Sequence, residues 1–203
     1  MISHTHKFIF THIPKTGGTS ILHLLNDYFD PPVGRPPNTN QRMHNDLVKD
    51  LEKCSDDYFK FAFVRNPWDR TVSAYHYVWY SDIMAWWRAG RRSKPWTFKK
   101  WLKSRHFSRP RGRKKNRCYR GDQLCWVSSC EGELLADFIG KFENLQEDFK
   151  YVCDKLGLPK QELPHKNKSK HKHYTEYYDD ETIEIVRKFY KNDIEYFGYE
   201  FGE

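Results

Sequence analysis

The stretch that decides the fold is residues 7–22, KFIFTHIPKTGGTSIL. Its first half, Lys7–Ile13, is a short and largely apolar run that predicts a buried β-strand bounded by Pro14. Its second half has two adjacent glycines, which predict a turn, and then Thr19 or Ser20 as the expected cap of a helix. Strand, glycine turn and helix in this order predict an anion-binding loop, because the N–H groups of the first helical turn point at the bound group.

The rest of the chain repeats this alternation of strand and helix. Tyr58–Val64 and Asp137–Phe142 predict two further strands. Strands that alternate with helices imply a parallel sheet with right-handed crossovers. We therefore predict an α/β fold, a single-domain three-layer sandwich with a central parallel sheet, whose ligands bind beyond the carboxyl ends of the strands. Helices are expected from Pro67 to about Tyr80, at Met43–Leu51 and Phe98–Leu102, from Leu145 to Gly157 and, as the last helix, after Asp179 or Asp180.

Positive charge is concentrated in one segment of this 203-residue chain. The formal net charge is +8 and the isoelectric point is about 9.1. Arg88–Arg120 contains six lysines, nine arginines and no acidic residue. The rest of the chain has 20 basic and 27 acidic residues, so its net charge is negative. We interpret residues 1–203 as one domain with a basic insertion at about residues 81–120. A basic segment of this kind favours an anionic partner.

The sequence gives no sign of a membrane segment. It contains no run of 18 apolar residues, so a membrane span is not expected. The N-terminal apolar stretch is too short for a signal peptide and lacks a small-residue cleavage site. We therefore expect a cytoplasmic protein, and the sequence leaves its oligomeric state open.

The glycine turn carries the residue types of a phosphate-binding loop, with the positive charge of Lys15 and several hydroxyl donors. Its order differs from that of the nucleoside-triphosphate loop, because Lys15 precedes both glycines instead of following them. Strand Tyr58–Val64 is followed by Arg65, where a nucleotide kinase would place an aspartate for Mg²⁺. A small nucleotide kinase is therefore the less favoured enzyme, and no metal site is expected. The candidate loop residues are Lys15, Thr16, Gly17, Gly18, Thr19 and Ser20.

Two segments carry a resemblance to a known family. Residues 8–21, FIFTHIPKTGGTSI, and residues 61–78, FAFVRNPWDRTVSAYHYV, resemble the sulfotransferases, and most closely the carbohydrate O-sulfotransferases of heparan, dermatan and chondroitin chains. The resemblance continues through FIGKFENLQEDF, LPHKNKS and YKNDIEYFGYEF, and it covers most of the chain outside roughly residues 81–120. It implies a P-loop-like nucleotide-binding fold. It also implies transfer from 3′-phosphoadenosine 5′-phosphosulfate (PAPS), with adenosine 3′,5′-bisphosphate as the product and without a metal.

The resemblance also implies roles for individual residues. The backbone of Gly17–Ser20 would hold the 5′-phosphate, and Lys15 would bond the oxygen that bridges phosphorus and sulfur, where charge grows as that bond breaks. Arg65 would hold the 3′-phosphate, since a guanidinium fork suits a phosphate, with Ser73 as its partner. We interpret Arg70, which lies between them in sequence, as structural or as a support for the residues that contact the nucleotide. A basic loop that would close over the nucleotide and exclude water contains Lys166, Asn167, Lys168 and Ser169.

The acceptor hydroxyl must lose a proton, and histidine is the natural base near neutral pH. Our first candidate is His44, at the start of the predicted helix Met43–Leu51. Related chains carry a histidine there, and the helix N-terminus would help to keep the ring neutral. His12, beside the loop, and His76, in the helix after the second strand, are alternatives. Glu143 would either orient the base or cap the following helix, and the sequence leaves both roles open.

The basic segment has three interpretations. It is a groove for an anionic glycan whose rings stack on tryptophans, or a nucleic-acid surface, which we favour less, or a solvated insertion whose tryptophans cover the core. We expect a PAPS-dependent O-sulfotransferase with a carbohydrate acceptor favoured over protein tyrosine and small alcohols. The alternative is a non-catalytic basic glycan- or RNA-binding protein. The candidate glycan-binding residues are Arg88, Arg91, Arg92, Arg109 and Arg111, with Trp86, Trp87, Trp96 and Trp101 for stacking.

Overall fold

A computed structural model describes residues 1–29, 51, 57–88, 97–104, 121–129, 131–164 and 172–203, with the side chains of residues 78–88 left out. The chain divides into two compact units. The first unit comprises Met1–Arg65 and Gln123–Lys168, and the second comprises Asn66–Asp122 and Ser169–Glu203. Most of the segment interpreted as a basic insertion lies outside the described residues, so the single-domain interpretation stays a prediction.

The elements follow the predicted alternation of strand and helix. In chain order the strands are β1 (Ile2–Ser3), β2 (Phe8–Thr11), β3 (Phe59–Val64) and β4 (Phe138–Lys141). The helices are α1 (Gly18–Leu25), α2 (Pro67–Arg88), α3 (Phe98–Leu102), α4 (Leu145–Leu156), α5 (Asp180–Phe189) and α6 (Lys191–Phe197). Short 3₁₀ turns lie at Asn26–Tyr28, Leu124–Trp126, Phe142–Asn144 and Tyr174–Tyr177.

The first unit is built on a four-stranded sheet in the order β1-β2-β3-β4. Strands β2, β3 and β4 are parallel, with Phe10 opposite Phe61 and Phe61 opposite Phe138, whereas β1 is antiparallel to β2. The predicted α/β class is confirmed, but the sheet is mostly parallel and not wholly parallel as predicted, because β1 runs antiparallel to β2. Strand β1 was not predicted, because two residues are too few to show a periodic pattern.

The core of the first unit lies between the sheet and the helices α1 and α4. Aromatic side chains on one face of the sheet pack against apolar side chains of both helices, because alternate residues of a strand point to the same face. Gly140 on β4 leaves room for the ring of Phe63 on β3, because a Cβ at Gly140 would overlap Phe63 Cε1 and Cδ1. The buried cluster includes Phe8, Phe10, Ile21, Leu25, Phe61, Phe63, Phe149 and Val152.

The described part of the second unit is helical. Helix α2 runs eight residues beyond the expected end at Tyr80, so residues 81–88, predicted as the start of the basic insertion, continue this helix. Asp179 caps α5 as predicted, through a reciprocal capping box with Thr182. The expected last helix is two helices, which are separated at Tyr190. No helix within the described ranges is both long and apolar enough to cross a membrane.

Candidate active site

The loop between β2 and α1 holds two residues in the left-handed backbone region. Lys15 has φ 71° and Gly17 has φ 81°, and for a non-glycine residue such as Lys15 this conformation is strained. Gly17 is the N-cap of α1, and it forms no side-chain cap. The predicted cap at Thr19 or Ser20 is therefore wrong, because the glycine conformation starts the helix at Gly18.

Hydrogen bonds within the loop maintain its shape. The Thr16 hydroxyl is buried and donates to the Ile13 carbonyl oxygen over 2.9 Å. The Ser20 N–H donates to the Gly17 carbonyl oxygen, also over 2.9 Å. Thr16 thus uses its hydroxyl proton inside the loop, so its contribution to an anion would come from the backbone.

The imidazole of His12 lies beneath the start of α1. A Cβ at Gly18 would lie 2.0 Å from His12 Cδ2 and 2.2 Å from Nε2, so only glycine leaves room for the ring. His12 is 4 % exposed and stacks on Phe10, with ring centroids 6.0 Å apart. This position makes His12 a support for the loop, and it explains why the second glycine is required.

Arg65 follows β3 and is 9 % exposed. Its Nη1 donates to the Lys15 carbonyl oxygen over 3.2 Å. Its backbone is fixed by Gln123, whose Oε1 accepts from the Arg65 N–H over 2.9 Å and whose Nε2 donates to the Arg65 carbonyl oxygen over 2.8 Å. The two predicted phosphate-binding cations are therefore joined at one loop, and Gln123 is a supporting residue that sequence reasoning missed.

The positive charges of Lys15 and Arg65 are partly removed from water. Burial and, as the smaller cause, the nearby charge of Arg65 together lower the pKa of Lys15 from 10.5 to about 8. At pH 7 the lysine is still mostly protonated. Two cations held together in a partly buried place attract an anion more strongly than two solvated ones.

Other predicted residues fall in the second unit. Ser73 is 6 % exposed on α2. Arg70 donates from Nη1 to the Gly121 carbonyl oxygen over 2.8 Å, in agreement with a structural role. The His76 ring is within 3.0 Å of the Tyr177 hydroxyl. Trp101 is 7 % exposed and packs on an aromatic cluster, so it covers the core and is not available to stack on a sugar.

The Phe142–Asn144 turn in the first unit decides one open question. Glu143 is exposed there. The N-cap of α4 is Asn144, which forms no side-chain cap bond. Glu143 is therefore not the N-cap residue of α4, and orienting a base stays a prediction for it.

Several predicted site residues, or their side chains, lie outside the part of the chain that the structure describes. The candidate base His44 lies outside the described residues, and so do Lys168 and Ser169. The same holds for Arg91, Arg92, Arg109, Arg111 and Trp96, and for the side chains of Arg88, Trp86 and Trp87. In the part of the chain that the structure describes, no group of three or more His, Cys, Asp or Glu side chains is arranged to hold a metal ion.

Comparison with known proteins gives a family match over nearly the whole chain. A sequence model described as "Sulfotransferase family" matches residues 1–200. An uncharacterized protein of Archaeoglobus fulgidus is 31 % identical over 114 residues, which cover 54 % of this chain and 77 % of that protein. Carbohydrate sulfotransferase 10 of Homo sapiens is 27 % identical over 183 residues, which cover 75 % of this chain and 51 % of that protein.

A further relative extends the match. Carbohydrate sulfotransferase 10 of Xenopus laevis is 24 % identical, with 98 % of this chain and 66 % of that protein covered. The chain thus spans about half to two-thirds of the length of these named relatives. No solved structure matches significantly.

Proposed function

We propose that this chain, which belongs to the sulfotransferase family, transfers a sulfuryl group from PAPS to a hydroxyl of an anionic carbohydrate. The observation that carries the proposal is the contact between Arg65 and the backbone of Lys15, which brings two cations to one glycine loop. The relatives named carbohydrate sulfotransferase 10 support the acceptor class. A three-layer, P-loop-like arrangement around the sheet is part of the same proposal.

The loop and the arginine suit a doubly phosphorylated nucleotide. The Ser20 N–H donates within the loop, so the backbone N–H groups proposed to hold a 5′-phosphate at the start of α1 are those of Gly17, Gly18 and Thr19. Arg65 supplies a planar guanidinium for the 3′-phosphate, with Ser73 as the second donor. Lys168 and Ser169 are proposed to close over the nucleotide and exclude water.

The chemistry follows from charge and proton positions. PAPS supplies the sulfuryl group, whose bond to the 5′-phosphate oxygen breaks as the acceptor oxygen bonds to sulfur. Lys15 stabilises the negative charge that develops on the oxygen left behind. His44 is proposed to take the proton of the acceptor hydroxyl. The products are a sulfate ester and adenosine 3′,5′-bisphosphate, and the positive charge that a metal would otherwise supply comes from Lys15 and Arg65.

The acceptor is proposed to lie against the basic segment. Arg88, Arg91, Arg92, Arg109 and Arg111 belong to a run of 33 residues that has 15 positive charges and no acidic residue. Such a run attracts a uronic-acid-bearing or already sulfated chain, and the attraction weakens as salt is added.

The test combines nucleotide binding with sulfuryl transfer. Isothermal titration calorimetry with adenosine 3′,5′-bisphosphate compares the wild type with Arg65→Ala, and Arg187→Ala, an exposed arginine paired with Glu184, is the control. We expect Arg65→Ala to weaken binding by about 10- to 100-fold, as loss of a charged hydrogen-bonding partner does, and Arg187→Ala to leave it unchanged.

The same proteins are then incubated with PAPS carrying labelled sulfate and a panel of heparan, dermatan and chondroitin chains. Label on a glycan, reduced by Arg65→Ala, supports the proposal. Tight bisphosphate binding without transfer to any acceptor would instead favour the alternative, a non-catalytic basic glycan- or RNA-binding protein. A wild type that does not bind the bisphosphate would contradict the proposed function itself.

A further inference from the structure

Phe142, the first residue of the turn after β4, contacts both parts of the anion site. The guanidinium carbon of Arg65 lies 3.9 Å from the centroid of its ring. On the loop, Phe142 Cδ2 and Cε2 would lie 3.1 and 3.3 Å from a Cβ at Gly17, so the ring packs directly on that glycine. One partly buried aromatic side chain therefore touches both the phosphate loop and the arginine.

The guanidinium of Arg65 is restrained from two directions. The ring of Phe142 covers it, and the carbonyl oxygen of Lys15 accepts a hydrogen bond from its Nη1. An arginine side chain has many rotamers, and fixing them before a ligand arrives removes part of the entropy loss on binding. Stacking on an aromatic face is a favourable arrangement for a guanidinium group.

We propose that Phe142 is a positioning residue that holds Arg65 in the orientation needed for the 3′-phosphate of the nucleotide. This inference rests on the proposed function and extends it, because it assigns selectivity for a 3′-phosphorylated nucleotide to a side chain outside the cationic residues. Phe142 acts through Arg65 and does not itself touch the reacting atoms. Its contact with Gly17 keeps that arginine in register with the loop that holds the 5′-phosphate.

The chain offers a matched control, a second phenylalanine in the same unit. Phe138 is also a partly buried phenylalanine, and it belongs to β4. Its ring packs on Tyr151, with centroids 4.7 Å apart, and on Phe63, with centroids 6.4 Å apart. Phe138→Leu therefore makes the same chemical change in a different environment of the same unit.

The first experiment measures the affinity of the full chain for adenosine 3′,5′-bisphosphate and for adenosine 5′-phosphate. Phe142→Leu keeps an apolar contact at Gly17 but removes the ring face. It should weaken bisphosphate binding by about 3- to 30-fold, the range of a partly desolvated cation–π contact, and change monophosphate binding by less than about twofold. Phe142→Tyr, which keeps the ring, should bind as the wild type does. Phe138→Leu should not change the affinity for either nucleotide.

The second experiment is a double-mutant cycle with Arg65→Ala. Since Phe142 acts through the arginine, Phe142→Leu should have almost no further effect on bisphosphate affinity once Arg65 is alanine. An undiminished effect in the Arg65→Ala background, or an equal loss for both nucleotides, would overturn the inference. If Phe142→Leu does not fold, as judged by its thermal melt, Phe142→Met carries the same test.

The two proposals fail differently. A wild type that binds the bisphosphate, together with a Phe142→Leu variant of equal affinity, overturns the role of Phe142 and leaves the proposed function intact. A wild type that binds neither nucleotide overturns the proposed function, and the role of Phe142 with it.

Discussion

Two lysines, one in each unit, carry their charge in opposite environments: Lys15 is the proposed phosphate-binding cation, and Lys99 is held in exposed ion pairs. Burial and the charge of Arg65 lower the pKa of Lys15 to about 8. Hydrogen bonds from the exposed Lys99 to Asp179 and Glu181 raise its pKa instead. A cation held beside another cation and away from water has an unfavourable electrostatic free energy, and a bound anion makes that free energy more favourable. A cation that already bonds two carboxylates is stabilised much less by a further anion. The environment, more than the residue type, therefore marks the site.

The largest expected effect comes from replacing Lys15, and the same replacement at Lys99 is its control. Lys15→Ala should lower the rate of sulfuryl transfer by about 100- to 1,000-fold, because it removes positive charge where the leaving oxygen becomes negative. Lys99→Ala should change that rate by less than about twofold, since an exposed ion pair contributes little. The measurement is the initial rate of labelled-sulfate transfer at saturating PAPS. Equal losses from both variants would remove the distinction between the two lysines.

Local sequence patterns were enough to predict the contiguous part of the site. Strand β2, the glycine turn and α1 occupy residues 8–25, and each has a short-range signal. Gln123 and Phe142 were missed because they reach Arg65 from distant parts of the chain; Gln123 is separated from it by 58 positions. A single sequence has no periodicity that pairs side chains over such distances.

Element ends were less predictable than element types. The expected cap of α1 was wrong because Gly17 adopts φ 81° and starts the helix without a side-chain cap. The length of α2 has a signal in the sequence: SDIMAWWR at residues 81–88 has no proline or glycine, and the first glycine after it is Gly90. Charge density led us to place a boundary where the helical pattern continues.

The next largest effect tests why the loop needs its second glycine. Gly18→Ala should lower the free energy of unfolding by about 1–3 kcal/mol, because its Cβ would overlap the buried ring of His12. The double variant with His12→Ala should be more stable than the sum of the two single changes predicts, since the smaller side chain makes room. Denaturant unfolding of the four proteins measures this coupling. Additive losses would show that the strain lies elsewhere in the loop.

The pKa of Lys15 predicts how nucleotide binding depends on pH. A bound nucleotide favours the charged lysine, so above pH 8 binding must take up a proton. Affinity for adenosine 3′,5′-bisphosphate should therefore fall by up to about tenfold per pH unit between pH 8 and 9.5. Lys15→Arg stays protonated in this range and should show a flatter profile. Calorimetry in buffers of different ionisation enthalpy detects the proton uptake. A wild-type profile as flat as that of Lys15→Arg would contradict the lowered pKa.

The smallest effect is expected at Asp179, which caps α5 and bonds Lys99, the structural lysine of the comparison. Asp179 accepts from the Thr182 N–H over 2.9 Å and from Lys99 Nζ over 2.7 Å. Asp179→Ala should lower the melting temperature by about 2–4 °C at pH 7, as loss of an N-cap does, and should leave nucleotide affinity unchanged. The control Asp180→Ala removes the same charge from the first turn of α5 but keeps the cap, so it should lower the melting temperature less.

The pH dependence of this stabilisation has the opposite sign to that of nucleotide binding at Lys15. The bonds from Lys99 and Thr182 hold the pKa of Asp179 below its ordinary value of 3.8 in the folded protein. The stabilisation is therefore complete well above pH 4 and is lost as the pH falls through the folded-state pKa. The melting temperatures of the wild type and Asp179→Ala should converge as the pH is lowered from 5 to 2. If the two melting temperatures do not converge, protonating Asp179 has not removed its stabilising effect. The charge of the carboxylate would then not be the cause of that effect.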